Sequence, residues 1–406
     1  METKYLIERL AKQYESFYLY EEQEIISRIN LLKKNFPSVD FLYFVSCNSN
    51  ENVLKSIFSN GFGASVSSME ELDSVKKMGL GREKIFYSAP GKSMDDLQDS
   101  YHECTIVADS ISEIERLKYL AEIFNEQIEI AVRINPNFTY EKDQGLPSKF
   151  GIDEKEALDY LEKLDELYVR VIGIYTLIKN QELDCSKINR YYKKAFQLAE
   201  KVERAVGHKL KFIDLGSGIG IPYTDDDKEI NISWLGSEME ERISSFRMTH
   251  PRIKIIMELG RYVSGKCGSF VTHVIDVKKS HGKTFAVLQN PLGGFCKPLI
   301  SYAVKKYSQS ENPKSMEPFF TKLNSFEIHP LDSSEETELV TVVGNSFSEN
   351  DVIAEDVMMP KLRIGEVMVI SNAGSYPLVF QRLSSDKEKT AQIFFTVDGE
   401  IKGNNE

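Results

Sequence analysis

The segment "FIDLGSGIGIPY", Phe212 to Tyr223, is the one on which the fold turns. It reads as a short strand ending in Gly216-Ser217-Gly218-Ile219-Gly220. Bare backbone N–H groups in such a turn can wrap an anion such as phosphate. A dinucleotide-binding fingerprint is one reading, but the spacing is GxGxG, and Pro222 falls where a helix should already be running. A purely structural glycine turn is another. The choice depends on which strand this is.

Between about Glu22 and Gly260, short β-rich runs alternate with longer amphipathic stretches. The runs are FLYFVS (41–46), ASVSS (64–68), IFYSA (85–89), CTIVA (104–108), IEIAVRIN (128–135), VRVIGIYTLI (169–178), KLKFIDLG (209–216) and KIIMELG (254–260). The intervening patterns are helical, and several end in glycine, as helix C-terminal caps do. The glycine turn therefore closes the seventh strand. "DLGSGIG" also resembles the first motif of S-adenosylmethionine methyltransferases, but that motif belongs at the first strand of its domain. Eight buried strands with helices between them predict an α/β fold, a (β/α)8 TIM-like barrel over residues 27–263. An α/β sheet of another topology is the alternative. After Arg261 helical periodicity mostly disappears, and strings such as "ETELVTVVGNSFS" and "TAQIFFTVDGEI" predict an all-β domain. Residues 1–26 and 264–406 are assigned to it, with "SQSENPKSMEP" (308–318) as a polar surface loop.

Composition narrows the function. Fifty basic against 62 acidic residues give a net charge of −12, which argues against nucleic acid and against a cationic membrane-binding surface. No apolar run approaches a membrane span, and the charged start "METKYLIERLAKQYE" lacks the apolar core of a signal peptide. The five cysteines, Cys47, Cys104, Cys185, Cys267 and Cys296, are scattered without metal-ligand spacing. Reduced thiols, no metal site and a cytoplasmic location are expected.

Two further strings carry chemistry. "MELGRYVSG" (257–265) closes the eighth strand with Glu258 and Arg261, at the barrel end where side chains from different strands converge. The two can pair with each other; alternatively Arg261 supports a phosphate on the glycine turn while Glu258 meets a protonated ring nitrogen. "VVGNSFSENDVIAEDVMMPKLRIGEVMVISNAGSYP" places Asp351 in a loop and Tyr376 after an Asn-Ala-Gly turn. Each alone is more often a turn cap or a half-buried tyrosine than a site.

Taken in order, "NSNENVLKSIFSNGFGASVSSMEEL", "EKIFYSAPGKS", "RINPN…SKFGID", "IDLGSGIGIPY", "ELGRYV", "VGNSFSENDVI" and "GEVMVISNAGSY" resemble one family. It is the pyridoxal-phosphate-dependent ornithine, arginine and diaminopimelate decarboxylases, an alanine-racemase-like barrel plus a β domain. The resemblance covers nearly the whole chain. It implies that Gly216, Gly218, Gly220, Arg261 and Tyr376 contact a phosphate, that Glu258 meets the cofactor ring nitrogen and that Asp351 binds substrate.

The same resemblance implies losses. The family anchors its cofactor through a lysine in a pattern like Tyr-Ala-Val-Lys-Ala-Asn. Here the matching string is Tyr43-Phe44-Val45-Ser46-Cys47-Asn48, and a serine hydroxyl cannot form a Schiff base. Ser65 stands for an aspartate of the second strand. Tyr175 and Leu177 stand for the two histidine positions of the sixth, where the family carries a histidine that stacks on the ring. Phe347 stands for a cysteine that reaches into the partner subunit's site. Ser46, Ser65, Leu177 and Phe347 thus mark a degenerate site around an intact anion cradle. The first expectation is a pseudoenzyme acting as a binding, scaffold or regulatory partner, as a homodimer or as a heterodimer with a related chain. The alternatives are a repurposed enzyme binding pyridoxal phosphate or another small anionic ligand noncovalently, and an ordinary amino-acid decarboxylase.

Overall fold

A computed structural model describes all residues except 1, 224–226, 291–293, 296–299, 301, 303–305, 307–325, 333, 378–389 and 404–406. Cys296 and the polar segment 308–318 lie outside the described residues.

Eight parallel strands close on themselves: Val39–Phe44, Gly63–Val66, Ile85–Tyr87, Thr105–Ala108, Ile128–Asn135, Val169–Tyr175, Phe212–Asp214 and Lys254–Leu259. The eighth pairs with the first through Ile255↔Val39 to Leu259↔Tyr43, and the fourth with the fifth through Ile106↔Ile130. The molecule is therefore a (β/α)8 barrel with a separate β-rich domain. Among the described residues the second sheet has nine strands and takes in the N-terminal strand Phe17–Glu21, which runs antiparallel to Gly268–Ser280 and parallel to Ala391–Phe395.

The lumen follows from the two-residue period of a strand. One apolar layer is formed by Leu42, Phe86, Val107, Ala131, Ile172, Phe212 and Ile256, all buried. Two residues further along four of these strands stand Asp109, Arg133, Asp214 and Glu258, also buried. The barrel is filled by hydrocarbon below and by charge towards the C-terminal ends of its strands, the end at which such barrels build their sites. A register shift in the pairing of the fifth and sixth strands, between Ile130 and Ala131, accompanies the arrival of Tyr175 in the same lumen group.

Local signals fix the helices at this end. Asn50 caps helix Glu51–Ser59 by accepting from the N–H groups of Asn52 (3.0 Å) and Val53 (3.3 Å). Ser68 caps helix Met69–Lys77, accepting from the Glu71 N–H at 3.2 Å. The first strand's exit is tied to the β domain. Asn48 donates to the Gly374 carbonyl at 2.8 Å, and the Tyr376 N–H donates to the Cys47 carbonyl.

Candidate functional site

The polar layer of the lumen holds more acid than base. Arg133 approaches Asp109 at 3.3 Å and lies over the rings of Phe150 (4.4 Å) and Tyr175 (4.9 Å). Asp109 also accepts from the Gly151 N–H at 3.1 Å. Burial pushes the Asp214 carboxyl well above its ordinary range, and the charge of Glu258 raises it further. Burial likewise raises Glu258, opposed by Arg133 and by the nearby hydroxyls of Tyr175 and Ser65. The Oε2 atom of Glu258 is out of water and has no hydrogen-bond partner within bonding distance. A carboxylate in that condition is costly unless it keeps a proton or meets a donor.

The glycine turn has a different first cause from the one its sequence suggests. Gly216 and Gly218 have φ of +55° and +70°, where side chains are strained. A Cβ on Gly216 would stand 2.9 Å from Leu177 Cβ, and one on Gly218 would overlap the Tyr140 hydroxyl. One on Gly220 would stand 2.7 Å from Gln181 Oε1. The glycines therefore let the segment after the sixth strand lie directly on the turn. Backbone bonds stitch the two: Glu182 N–H to the Gly218 carbonyl (2.8 Å) and Gly220 N–H to the Glu182 carbonyl (3.0 Å). Gly216 N–H donates to Asp214 Oδ1 at 2.9 Å. Close packing by itself requires these glycines, with or without an anion on the turn.

Arg261 supplies the positive charge. It opens the short helix Arg261–Ser264, is 6% exposed, and lies 5.7 Å from the ring centres of both Tyr223 and Tyr376. Its Nη1 donates to Gln181 Oε1 at 3.1 Å. Tyr376 is held at a left-handed φ of 52°. The cationic neighbour that lowers the pKa of Glu258 is Arg133.

Ser46 sits in the 3-10 turn Val45–Cys47 that follows the first strand. Its hydroxyl lies 2.5 Å from Glu71 Oε1 and 2.7 Å from the Ser67 hydroxyl, while Glu71 Oε2 accepts from Ser67 N–H (2.7 Å) and Oγ (3.0 Å). Ser65 pairs in register with Phe44 and shares a hydrogen bond with Ser88 at 2.9 Å. The chain thus brings together the neighbourhoods of Ser46, Ser65, Leu177, the three glycines, Glu258, Arg261 and Tyr376. Asp351 is buried, and its Oδ2 accepts from the Ser346 N–H of its own loop at 3.0 Å. Phe347, in the same loop, is fully exposed.

Four residues escaped the sequence reading: Asp109, Arg133, Asp214 and Lys92. The first three each lie two residues beyond a lumen residue, Val107, Ala131 and Phe212, a spacing that points into the lumen only once the barrel's register is known. Lys92 is buried, donates to the carbonyls of Ala89 (2.6 Å) and Val107 (2.9 Å), and pairs with Glu113 at 2.8 Å. Burial lowers its pKa against the pull of Glu113. Nothing in its own string "PGKS" announced that.

Residues 22–265 match the family model described as the pyridoxal-dependent decarboxylase, pyridoxal binding domain. The chain belongs to this family. It is 27% identical over 384 residues to the L-glutamyl-[BtrI acyl-carrier protein] decarboxylase of Niallia circulans, covering 92% of this chain and 87% of that protein. It is 26% identical over 396 residues to the diaminopimelate decarboxylase of Aquifex aeolicus, covering 95% and 87%. In three dimensions it superposes on diaminopimelate decarboxylase from Helicobacter pylori complexed with L-lysine with a TM-score of 0.80, at 22% identity over 98% of this chain and 95% of that one. These relatives carry the names of decarboxylases, which favours the catalytic alternatives over the expected pseudoenzyme. Among the described residues no group of three or more His, Cys, Asp or Glu side chains could hold a metal, and no helix is long and apolar enough to cross a membrane.

The lumen residues fit pyridoxal phosphate in part. The unpartnered Glu258 Oε2 suits a protonated ring nitrogen, and Arg261 suits a phosphate. The hydroxyl of Ser46 does not suit a covalent link.

Proposed function

We propose that the chain is an amino-acid decarboxylase-type enzyme that holds pyridoxal phosphate without a covalent bond, Ser46 standing where its family carries the cofactor lysine. The observation behind this reading is the orphaned Oε2 of Glu258. A donor is missing beside a buried, electron-rich oxygen, and a protonated ring nitrogen is such a donor. When bound, the cofactor supplies the electron sink that makes loss of CO2 possible. The chain's own groups bind and orient. Arg261, the glycine turn and Tyr376 take the phosphate, Glu258 keeps the ring nitrogen protonated, and Leu177 offers an apolar side chain where the family has a ring-stacking imidazole. The apolar layer beneath excludes water from the carboxylates. The names of the relatives suggest diaminopimelate, or an L-glutamyl group carried on an acyl-carrier protein, as the kind of substrate. Without a lysine to exchange the substrate amine and carry protons, turnover is slow.

A second reading, a noncatalytic partner that pairs with its own copy or with a related chain, is favoured by the bonding of Ser46 itself. Its hydroxyl is closed off by Glu71 and Ser67, and Lys92 is fully committed elsewhere. The exposed Phe347 would then serve a subunit contact.

One experiment separates the two. The purified protein is titrated with pyridoxal phosphate, treated with borohydride and digested for mass spectrometry. CO2 release is followed with diaminopimelate, lysine, ornithine, arginine and glutamate. Saturable binding, no pyridoxyl-lysine and slow CO2 release from one substrate support the enzyme. No binding and no CO2 establish the noncatalytic reading, and a lysine adduct overturns the noncovalent one.

A further inference from the structure

Gln181 lies just beyond the sixth strand, where three parts of the proposed phosphate site meet in one hydrogen-bonded group. Its Oε1 accepts from the Ile221 N–H and from Arg261 Nη1, each at 3.1 Å, and its Nε2 donates to the Ile221 carbonyl. One amide therefore grips both polar sides of Ile221, at the exit of the glycine turn, and holds the guanidinium of Arg261 as well. The cost is visible in the backbone: Gln181 has φ of +60°, in the left-handed region that few side chains adopt. Room for the amide is made by the missing Cβ of Gly220, which would stand 2.7 Å from Oε1.

We infer that Gln181 is a positioning residue of the phosphate site, holding the Arg261 fork so that it meets a phosphate monoester in one orientation. The inference rests on the reading of the site given under Proposed function. Two tyrosine rings, each 5.7 Å from the guanidinium, flank Arg261 but do not set the rotation of its fork, since a ring face attracts a cation without directing its N–H bonds. The amide oxygen does set it. A rival role, in which Oε1 merely fills the anion's place and leaves when phosphate arrives, would break both bonds to Ile221 at once. Gly220 has no side chain to replace them.

The two roles give opposite signs. Dissociation constants are measured for pyridoxal phosphate and for phosphate-free pyridoxal, with the wild-type chain, Gln181→Ala, Gln181→Glu, Arg261→Ala and the Gln181→Ala/Arg261→Ala double variant. Loss of one charge-assisted hydrogen bond should weaken pyridoxal phosphate about tenfold in Gln181→Ala. Pyridoxal binding should not move, and Gln181→Ala should add nothing once Arg261 is gone. Gln181→Glu keeps the shape, so it covers the case in which the alanine variant does not fold. Its carboxylate neutralises Arg261 and should weaken the phosphate ester further while sparing pyridoxal. Equal loss for both ligands, tighter binding of the ester, or a full effect in the Arg261→Ala background overturns the inference alone. A wild-type chain that binds no pyridoxal phosphate refutes the functional reading and takes this inference with it.

Discussion

Glu258→Gln tests the electrostatics of the lumen without relying on any ligand. In the folded chain the Glu258 carboxyl is raised above its ordinary range by burial, and its Oε2 has no partner. A group whose folded-state pKa is raised takes up its proton more readily when folded. That stability is fully present below the ordinary carboxylate pKa, is lost as pH climbs through the folded value, and then stays lost. Glutamine has the same shape and no charge, so it removes the penalty that the ionised form carries. Each pH unit by which burial raises the carboxyl is worth about 1.4 kcal/mol against its ionised form. The variant should therefore be about 1–2 kcal/mol more stable than wild type at pH 8 and nearly equal to it at pH 4. For a chain of this length that is a rise in Tm of about 1–2 °C. Thermal melts at the two pH values, without cofactor, read it directly. The gain should disappear in saturating pyridoxal phosphate, because the wild-type carboxylate then has its donor. Equal melting of the two proteins at both pH values, or a glutamine variant less stable at pH 8, would show that Glu258 is already satisfied and refute the reasoning.

Three other substitutions probe the rest of the site. Ser46→Lys restores an amine beside Glu71, so borohydride treatment with pyridoxal phosphate should give a pyridoxyl-lysine at position 46 that the wild type lacks; peptide mass spectrometry reads it, and a folded variant whose introduced amine stays unmodified counts against the assigned position. Lys92→Met leaves Glu113 buried without its cation and should cost about 3–5 kcal/mol, measured by urea unfolding. Gly218→Ala forces a side chain to φ of +70° with its Cβ driven into the Tyr140 hydroxyl. It should cost about 3 kcal/mol or more, with Tyr140→Phe in the same chain recovering part of the loss.

The barrel was legible because each of its strands is short, apolar and bounded by a helix signal, and eight such strands in alternation with helices suit a closed parallel sheet buried on both faces. The site was legible unevenly. Glu258 and Arg261 stand out because a charged pair follows an apolar strand directly. Asp109, Arg133 and Asp214 obey the same rule but are single charges at strand ends, where sequence alone cannot tell a lumen position from a solvent-facing one. The fifth strand shows why, since the register shift beside Ala131 changes which partner residue lies opposite. Lys92 was invisible for a stronger reason: its acceptors are two carbonyls and a carboxylate contributed by three different segments. Such a cluster exists only after the chain has folded. The glycine turn was recognised for a reason that the fold has revised, since Leu177, Tyr140 and Gln181 account for the missing side chains before any phosphate is considered.

That revision sharpens what a ligand would have to supply. The polar layer contains three carboxyl groups, Asp109, Asp214 and Glu258, around one guanidinium, Arg133. Asp109 takes the direct contact with Arg133, and Asp214 is pushed well upward and so tends to keep its proton. Glu258 is left as the group whose charge the chain neutralises least. Its own hydroxyl neighbours lower its pKa without giving Oε2 a bond, and Arg133 already faces Asp109. An approaching group that carries positive charge and an N–H therefore gains twice, once by Coulomb attraction in a medium of low polarity and once by satisfying the orphan oxygen. An anion gains nothing there and would turn instead to Arg261. The lumen thus distinguishes the two ends of a ligand that is cationic at one end and anionic at the other. That polarity depends on neither a lysine at position 46 nor a covalent bond.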